Sequence, residues 1–132
     1  CIRDSFLTQY GSPSIATPED LAKLYTAATG RSMTAKELMR IGERVTNVEK
    51  AFNAREGMTR ADDWPPSRFF EPIKSGPLRG EKLDEKKLAE MLDEYYSLRG
   101  WDPKTGLPTK AKLEELELKE VQQELMRLGK LK

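Results

Sequence analysis

TAKELMRIGERVTNVEKAFNAREG, residues 34–57, is the stretch on which the fold turns. Thr34 and Glu37 open it at the spacing where a threonine and a glutamate satisfy each other's backbone N–H at a helix start. Leu38, Ile41, Val45, Val48 and Phe52 then step by three and four along one face, the period of an amphipathic helix of about five turns. Gly57 supplies a natural stop. Burying that face would contribute on the order of 10 kcal/mol gross, most of it cancelled by chain entropy.

Helix signals recur on both sides of this stretch, and strand signals hardly appear. Thr17-Pro18-Glu19-Asp20 reads as a cap, a first-turn proline and two acids at the positive helix end. Leu21, Leu24, Tyr25 and Ala28 follow, and Gly30 closes the segment. Asp84 caps a further helix with Leu88, Met91, Leu92 and Tyr95 on one face and Gly100 at its end. Thr109 caps a short helix carrying Leu113 and Leu116. A last helix over residues 119–128 uses Val121 and Leu125, and Glu115 and Lys119 would pair favourably if one helix spans both. Residues 58–83 differ: Pro65, Pro66, Pro72 and Pro77 with Gly76 and Gly80 exclude ordinary helix. There Phe69, Phe70, Ile73 and Leu78 would act as apolar anchors rather than sit in a loose linker. The expected fold class is all-α. It is a compact bundle of about five helices with one long irregular Pro/Gly-containing segment, in a single helical domain over residues 1–132.

Composition narrows the function. With 23 Lys plus Arg against 22 Asp plus Glu, the net charge of +1 gives no electrostatic reason to expect nucleic acid or an anionic membrane. No apolar run approaches the roughly 20 residues of a membrane span, and no signal peptide is evident. The chain has one cysteine and no histidine. A disulfide framework and the commonest general base are therefore absent, and a reducing, cytoplasmic setting is expected. Position 1 is Cys rather than Met, which suggests a fragment or a processed product.

Few residues carry candidate chemistry. Gly76-Pro-Leu-Arg-Gly80-Glu-Lys82 lacks the Gly-Lys-Ser/Thr ending of a phosphate loop. Asp102-Pro-Lys-Thr-Gly106 reads as a turn with a positive-φ glycine. Asp62-Asp63 is either an acid–base pair or part of a structural network, with Arg55, Arg60 and Arg68 near enough in sequence to pair with it. The same stretch also reads as a helix start at Thr59. Tyr95, Tyr96 and Trp101 suit a core better than a binding site, and Arg99 could stack on a ring. Cys1 cannot hold a metal centre alone, but it can be one ligand of a site completed elsewhere.

The pieces occur in a recognisable order: Ala27-Ala28-Thr29-Gly30, Gly42-Glu43-Arg44, Asn47, Phe52-Asn53 and Arg55-Glu56-Gly57. Then come Arg60, Asp62-Asp63, Pro66, Arg68-Phe69, Tyr95-Tyr96, Leu98-Arg99-Gly100-Trp101-Asp102, Gly106, Pro108-Thr109 and Leu113-Glu114-Glu115-Leu116. In this the chain resembles the C-terminal part of the tungsten-containing aldehyde:ferredoxin oxidoreductase family. The resemblance implies a helical domain of a longer enzyme that carries a tungsten (or molybdenum) bis-pterin and a 4Fe-4S cluster. Such an enzyme oxidises aldehydes to carboxylic acids and passes the electrons to ferredoxin. It implies Cys1 as the cluster's last thiolate ligand, no catalytic residue in this chain, and no cofactor held by the fragment alone. The partners it implies are the upstream domains of the same polypeptide and ferredoxin, with no nucleic acid and no membrane. Two alternatives are an aromatic acyl-CoA ring reductase subunit of the same family and a free-standing helical interaction module.

Overall fold

The structure is a computed structural model that describes residues 17–131. Among these residues it is all-α: five α-helices and two 3-10 turns, with no strand and one isolated bridge between Trp101 and Pro108. The chain divides into two units, Cys1–Val45 and Thr46–Lys132.

In the first unit, α1 (Pro18–Thr29) begins at the capping box read from sequence. Asp20 N–H donates to Thr17 Oγ1 at 3.3 Å and Thr17 N–H donates back to Asp20 at 3.0 Å. It ends at Gly30, whose φ of 71° is left-handed. The Thr26 hydroxyl donates to Ala22 O at 2.9 Å and accepts from Met33 N–H at 3.0 Å, which steers the chain into the next cap. There Thr34 and Glu37 form the expected reciprocal pair and start α2 (Ala35–Arg55). The apolar face read for α1 is not covered, since Leu24 and Tyr25 are exposed and only Ala22 is buried.

The second unit holds the C-terminal half of α2, the 3-10 turns Arg60–Asp63 and Ser67–Phe70, then α3 (Glu85–Arg99), α4 (Lys110–Glu115) and α5 (Lys119–Arg127). α2 stops as the sequence suggests. Gly57 N–H donates to Ala54 O, Met58 N–H donates to Asn53 O, and Gly57 has a φ of 99°. Ala51, Ala54, Leu113, Leu116, Leu118 and Leu125 form the core, with Leu107, Val121 and Leu131 against it.

The sequence reading of α2 is corrected here. Ile41, Val45, Val48 and Phe52 are 42–54% exposed, and the buried residues of α2 are Asn47, Ala51 and Ala54. The small alanines let the backbone approach the leucines of α4 and α5, and Asn47 reaches a specific partner. The α4–α5 junction breaks where the sequence reading separates the short helix from the last one. Glu117 takes a left-handed φ of 57°, and the N–H groups of Glu117 and Leu118 close α4 on Glu114 O and Leu113 O. That turn delivers Leu118 to the core, so no single helix spans Glu115 and Lys119.

Candidate functional site

Elements far apart in sequence meet around Tyr96, which is 1% exposed. α2 contributes Asn47 and Lys50, one turn apart on its polar face. The first 3-10 turn contributes Arg60 and Asp63. Thr59 starts that turn by exchanging hydrogen bonds with Asp62, which aims Asp62 back at the cap and leaves Asp63 pointing elsewhere. Asp63 Oδ2 accepts from Lys50 Nζ at 2.6 Å and from the Tyr96 hydroxyl at 2.5 Å. Adjacent in sequence, the two acids therefore serve different ends, and they do not form a carboxylate pair.

Arg60 ties three segments together. Its guanidinium donates to Asp93 Oδ1 and to Pro103 O, each at 2.5 Å, and to Ala89 O at 3.3 Å. It also lies 5.3 Å from the Tyr96 ring centroid, while its backbone N–H donates to Thr105 O at 3.0 Å. The 101–108 loop is thereby pinned against α3. Asp102 organises the loop from within, accepting from Lys104 N–H and the Thr105 hydroxyl. At Gly106, φ is 71°, and an added Cβ would sit 3.3 Å from the Tyr96 ring and 3.4 Å from Arg60 Cα.

Beneath this layer Trp101 Nε1–H donates to Asn47 Oδ1 at 2.9 Å, a buried bond between side chains 54 positions apart. It supplies the partner that a buried indole and a buried amide both need. Tyr95 meets Trp101 edge-on at 5.7 Å. Lys50 Nζ stands 5.1 Å from the Trp101 ring centroid and 5.7 Å from that of Tyr96, so its cation is held by two rings as well as by Asp63. Arg99 stacks on Tyr95 at 5.3 Å, as the sequence allows.

The electrostatics follow from this geometry. Burial pushes the Asp63 carboxyl up, but the hydrogen bonds from Lys50 and Tyr96 and the charges of Lys50 and Arg60 outweigh it. The carboxyl is held below the ordinary 3.8. Burial, then the bond to Asp63, pushes the Tyr96 hydroxyl well above the ordinary 10. Near neutral pH, Asp63 is a settled acceptor and Tyr96 a settled donor, and neither is poised to exchange a proton. The cluster fastens the 3-10 turn, α2, α3 and the 101–108 loop in one arrangement.

The structural-network alternative holds for Asp63, which takes its ion pair from Lys50 and only the charge of Arg60. Arg55 bonds Glu56 and covers the Phe52 ring, and Arg60 turns to Asp93. Lys50 takes the role instead. The signal for it was present in the helical spacing of Asn47 and Lys50, both opposite the apolar stripe. In α3 Leu88 and Leu92 are half-buried as read, but Tyr96 rather than Tyr95 is the buried ring and Met91 is exposed. Of the expected anchors in the irregular segment only Phe70 is anchored, stacked on Trp64 at 5.5 Å. Cys1, the one expected cofactor and metal ligand, lies outside the described residues. Among those residues no buried side-chain nitrogen or oxygen lacks a partner. Nor do three acid or thiol groups converge as a metal ligand set would require. None of the described helices is long and apolar enough to cross a membrane.

Comparison with known proteins gives these features a context. The family model described as aldehyde ferredoxin oxidoreductase, domains 2 and 3, matches residues 2–118. The tungsten-containing aldehyde ferredoxin oxidoreductase of Pyrococcus furiosus is 42% identical over 104 residues, covering 77% of this chain and 16% of that protein. The aliphatic sulfonate oxidoreductase WOR-like subunit of the same organism is 30% identical over 118 residues, 85% of this chain and 19% of that protein. Among solved structures, the active-site complex BamBC of benzoyl coenzyme A reductase, in complex with 1,5-dienoyl-CoA, superimposes with a TM-score of 0.71. It is 30% identical and covers 86% of this chain and 16% of that one. The chain thus spans about one-sixth of the length of the first and last of these proteins.

Proposed function

The chain belongs to the aldehyde ferredoxin oxidoreductase family, and we propose that it is the C-terminal helical domain of a longer tungsten (or molybdenum) pterin oxidoreductase. In this reading the parent polypeptide oxidises aldehydes to carboxylic acids, passes the electrons to ferredoxin, and works in the cytoplasm. The single observation that carries the reading is the family match across residues 2–118. The tungsten–pterin group, when bound, supplies the redox chemistry. Its ligands and the substrate contacts would come from segments outside the described residues. This chain's own part is structural: the Tyr96 cluster holds the second unit together. Cys1 donates one thiolate to a 4Fe-4S cluster whose remaining ligands lie elsewhere in the polypeptide.

The test is metal analysis of the full-length polypeptide together with aldehyde-dependent reduction of ferredoxin. Stoichiometric tungsten or molybdenum, about four irons and aldehyde-driven turnover are expected. A polypeptide with none of these metals would overturn the reading. Cys1→Ser should lower iron content, and unchanged iron would end the ligand assignment. A second reading, reduction of an aromatic acyl-CoA ring, draws on the likeness to the benzoyl coenzyme A reductase complex. It would be favoured by acyl-CoA turnover without aldehyde turnover.

A further inference from the structure

The 67–83 loop combines an organised backbone with uncovered side chains. Leu83 N–H donates to Phe69 O at 3.0 Å, Ile73 N–H to Glu81 O at 2.9 Å and Gly80 N–H to Ile73 O at 2.9 Å. Arg79 N–H and Glu81 N–H close the tip on Gly76 O and Leu78 O, and Gly76 and Gly80 take φ of 88° and 92° to allow it. A segment bonded in this way holds one shape without a core beneath it. Yet Phe69, Ile73, Leu78 and Leu83 are 52%, 43%, 62% and 41% exposed. Four large apolar side chains are thus uncovered on one short loop whose backbone is internally bonded.

Charge says what kind of surface would cover them. Arg68, Lys74, Arg79 and Lys82 stand among the apolar residues against Glu71 and Glu81, a local excess of two positive charges. None of the four cations makes an ion pair or side-chain hydrogen bond among the described residues. A matching surface is therefore apolar at its centre and rimmed by carboxylates. The Pyrococcus furiosus aldehyde ferredoxin oxidoreductase is about six times longer than the part that this chain matches, and the loop lies wholly inside the family-matched residues.

We infer that the 67–83 loop is a preformed docking surface by which the domain is fastened to an apolar, carboxylate-rimmed face elsewhere in the same polypeptide. The inference rests on the reading of the chain as one domain of a longer protein. It goes beyond that reading by naming the surface and the chemistry it meets.

Hydroxyl-radical footprinting of the full-length polypeptide tests it, with Tyr96 and Trp101 as buried internal references. Oxidation of Phe69 and Leu78 should be slowed about ten-fold or more relative to free side chains, down to the level of Tyr96. The protection should persist on dilution, because the contact is intramolecular. Leu78→Glu should restore oxidation at Phe69 while Tyr96 and Trp101 stay protected, which separates undocking from unfolding. Free oxidation of Phe69 in the unaltered polypeptide would overturn the inference. So would protection that fades on dilution, which would mark a second copy, or protection that appears only when a separate acidic protein is added. Metal content read on the same sample keeps the two proposals apart. Protected Phe69 without metal would sink the proposed chemistry alone, and reactive Phe69 with full metal would sink the docking alone.

Discussion

Around Tyr96 the charged groups reach inward and the rings are covered, whereas in the 67–83 loop the backbone is knit together and the side chains reach outward. The difference lies in partners. Tyr96, Trp101 and Asn47 find theirs in segments of this unit up to 54 positions away. Phe69, Ile73 and Leu78 have no such partner among the described residues. Apolar content therefore marks where a surface will be covered, and only the long-range contacts tell whether this chain does the covering.

Substitutions should separate the two regions, and the largest effect is expected at the covered ring. Tyr96→Ala should destabilise by about 3–5 kcal/mol in denaturant unfolding, because it opens a cavity and removes a hydrogen bond that Asp63 accepts. A loss under about 1 kcal/mol would mean that the cluster is not the unit's anchor. Gly106→Ala should cost about 1–3 kcal/mol, since it combines a left-handed φ with a methyl pressed on Tyr96 and Arg60. Gly57→Ala, left-handed but in open space, should cost about 1 kcal/mol, and a neutral thermal melt would remove its role as the stop of α2. At the small end, Leu78→Ala should leave the stability of this chain within about 0.5 kcal/mol. A larger loss would show that the loop is built into this unit after all.

Acid sharpens the same contrast. The folded-state pKa of Asp63 is lowered, so its contribution to stability is fully present above the unfolded value of 3.8. It is lost as pH falls through the lower folded value. Asp63→Asn should flatten that part of the acid-unfolding curve. Tyr96 acts at the other end. Its folded-state pKa is raised, so stability should decline as pH climbs past about 10.

Local signals were readable from sequence because they are local. Thr17, Thr34, Thr59, Asp84 and Thr109 cap what they were expected to cap, and Gly30, Gly57 and Gly100 end what they were expected to end. A cap is satisfied within four residues, so nothing distant can overrule it. The all-α class follows from the same signals. Burial was less legible. The Ile41, Val45, Val48 and Phe52 stripe has a sound helical period, but the period does not say which face this chain covers. In α2 the answer is the small Ala51 and Ala54 together with Asn47. In α3 the choice of Tyr96 over its neighbour Tyr95 depends on Asp63, which lies 33 positions away. The cluster was legible only as an acid pair with cations nearby, because which cation arrives is decided by the packing of α2 against the 3-10 turn.

The central claim is that the Tyr96 cluster fastens the domain and takes no part in chemistry. Asp63→Asn in the full-length polypeptide tests it most directly, with melting temperature and the proposed aldehyde turnover per bound tungsten measured on the same preparation. A lower melting temperature with turnover per tungsten unchanged is the predicted result. Turnover that collapses while melting temperature and tungsten content hold would contradict the account.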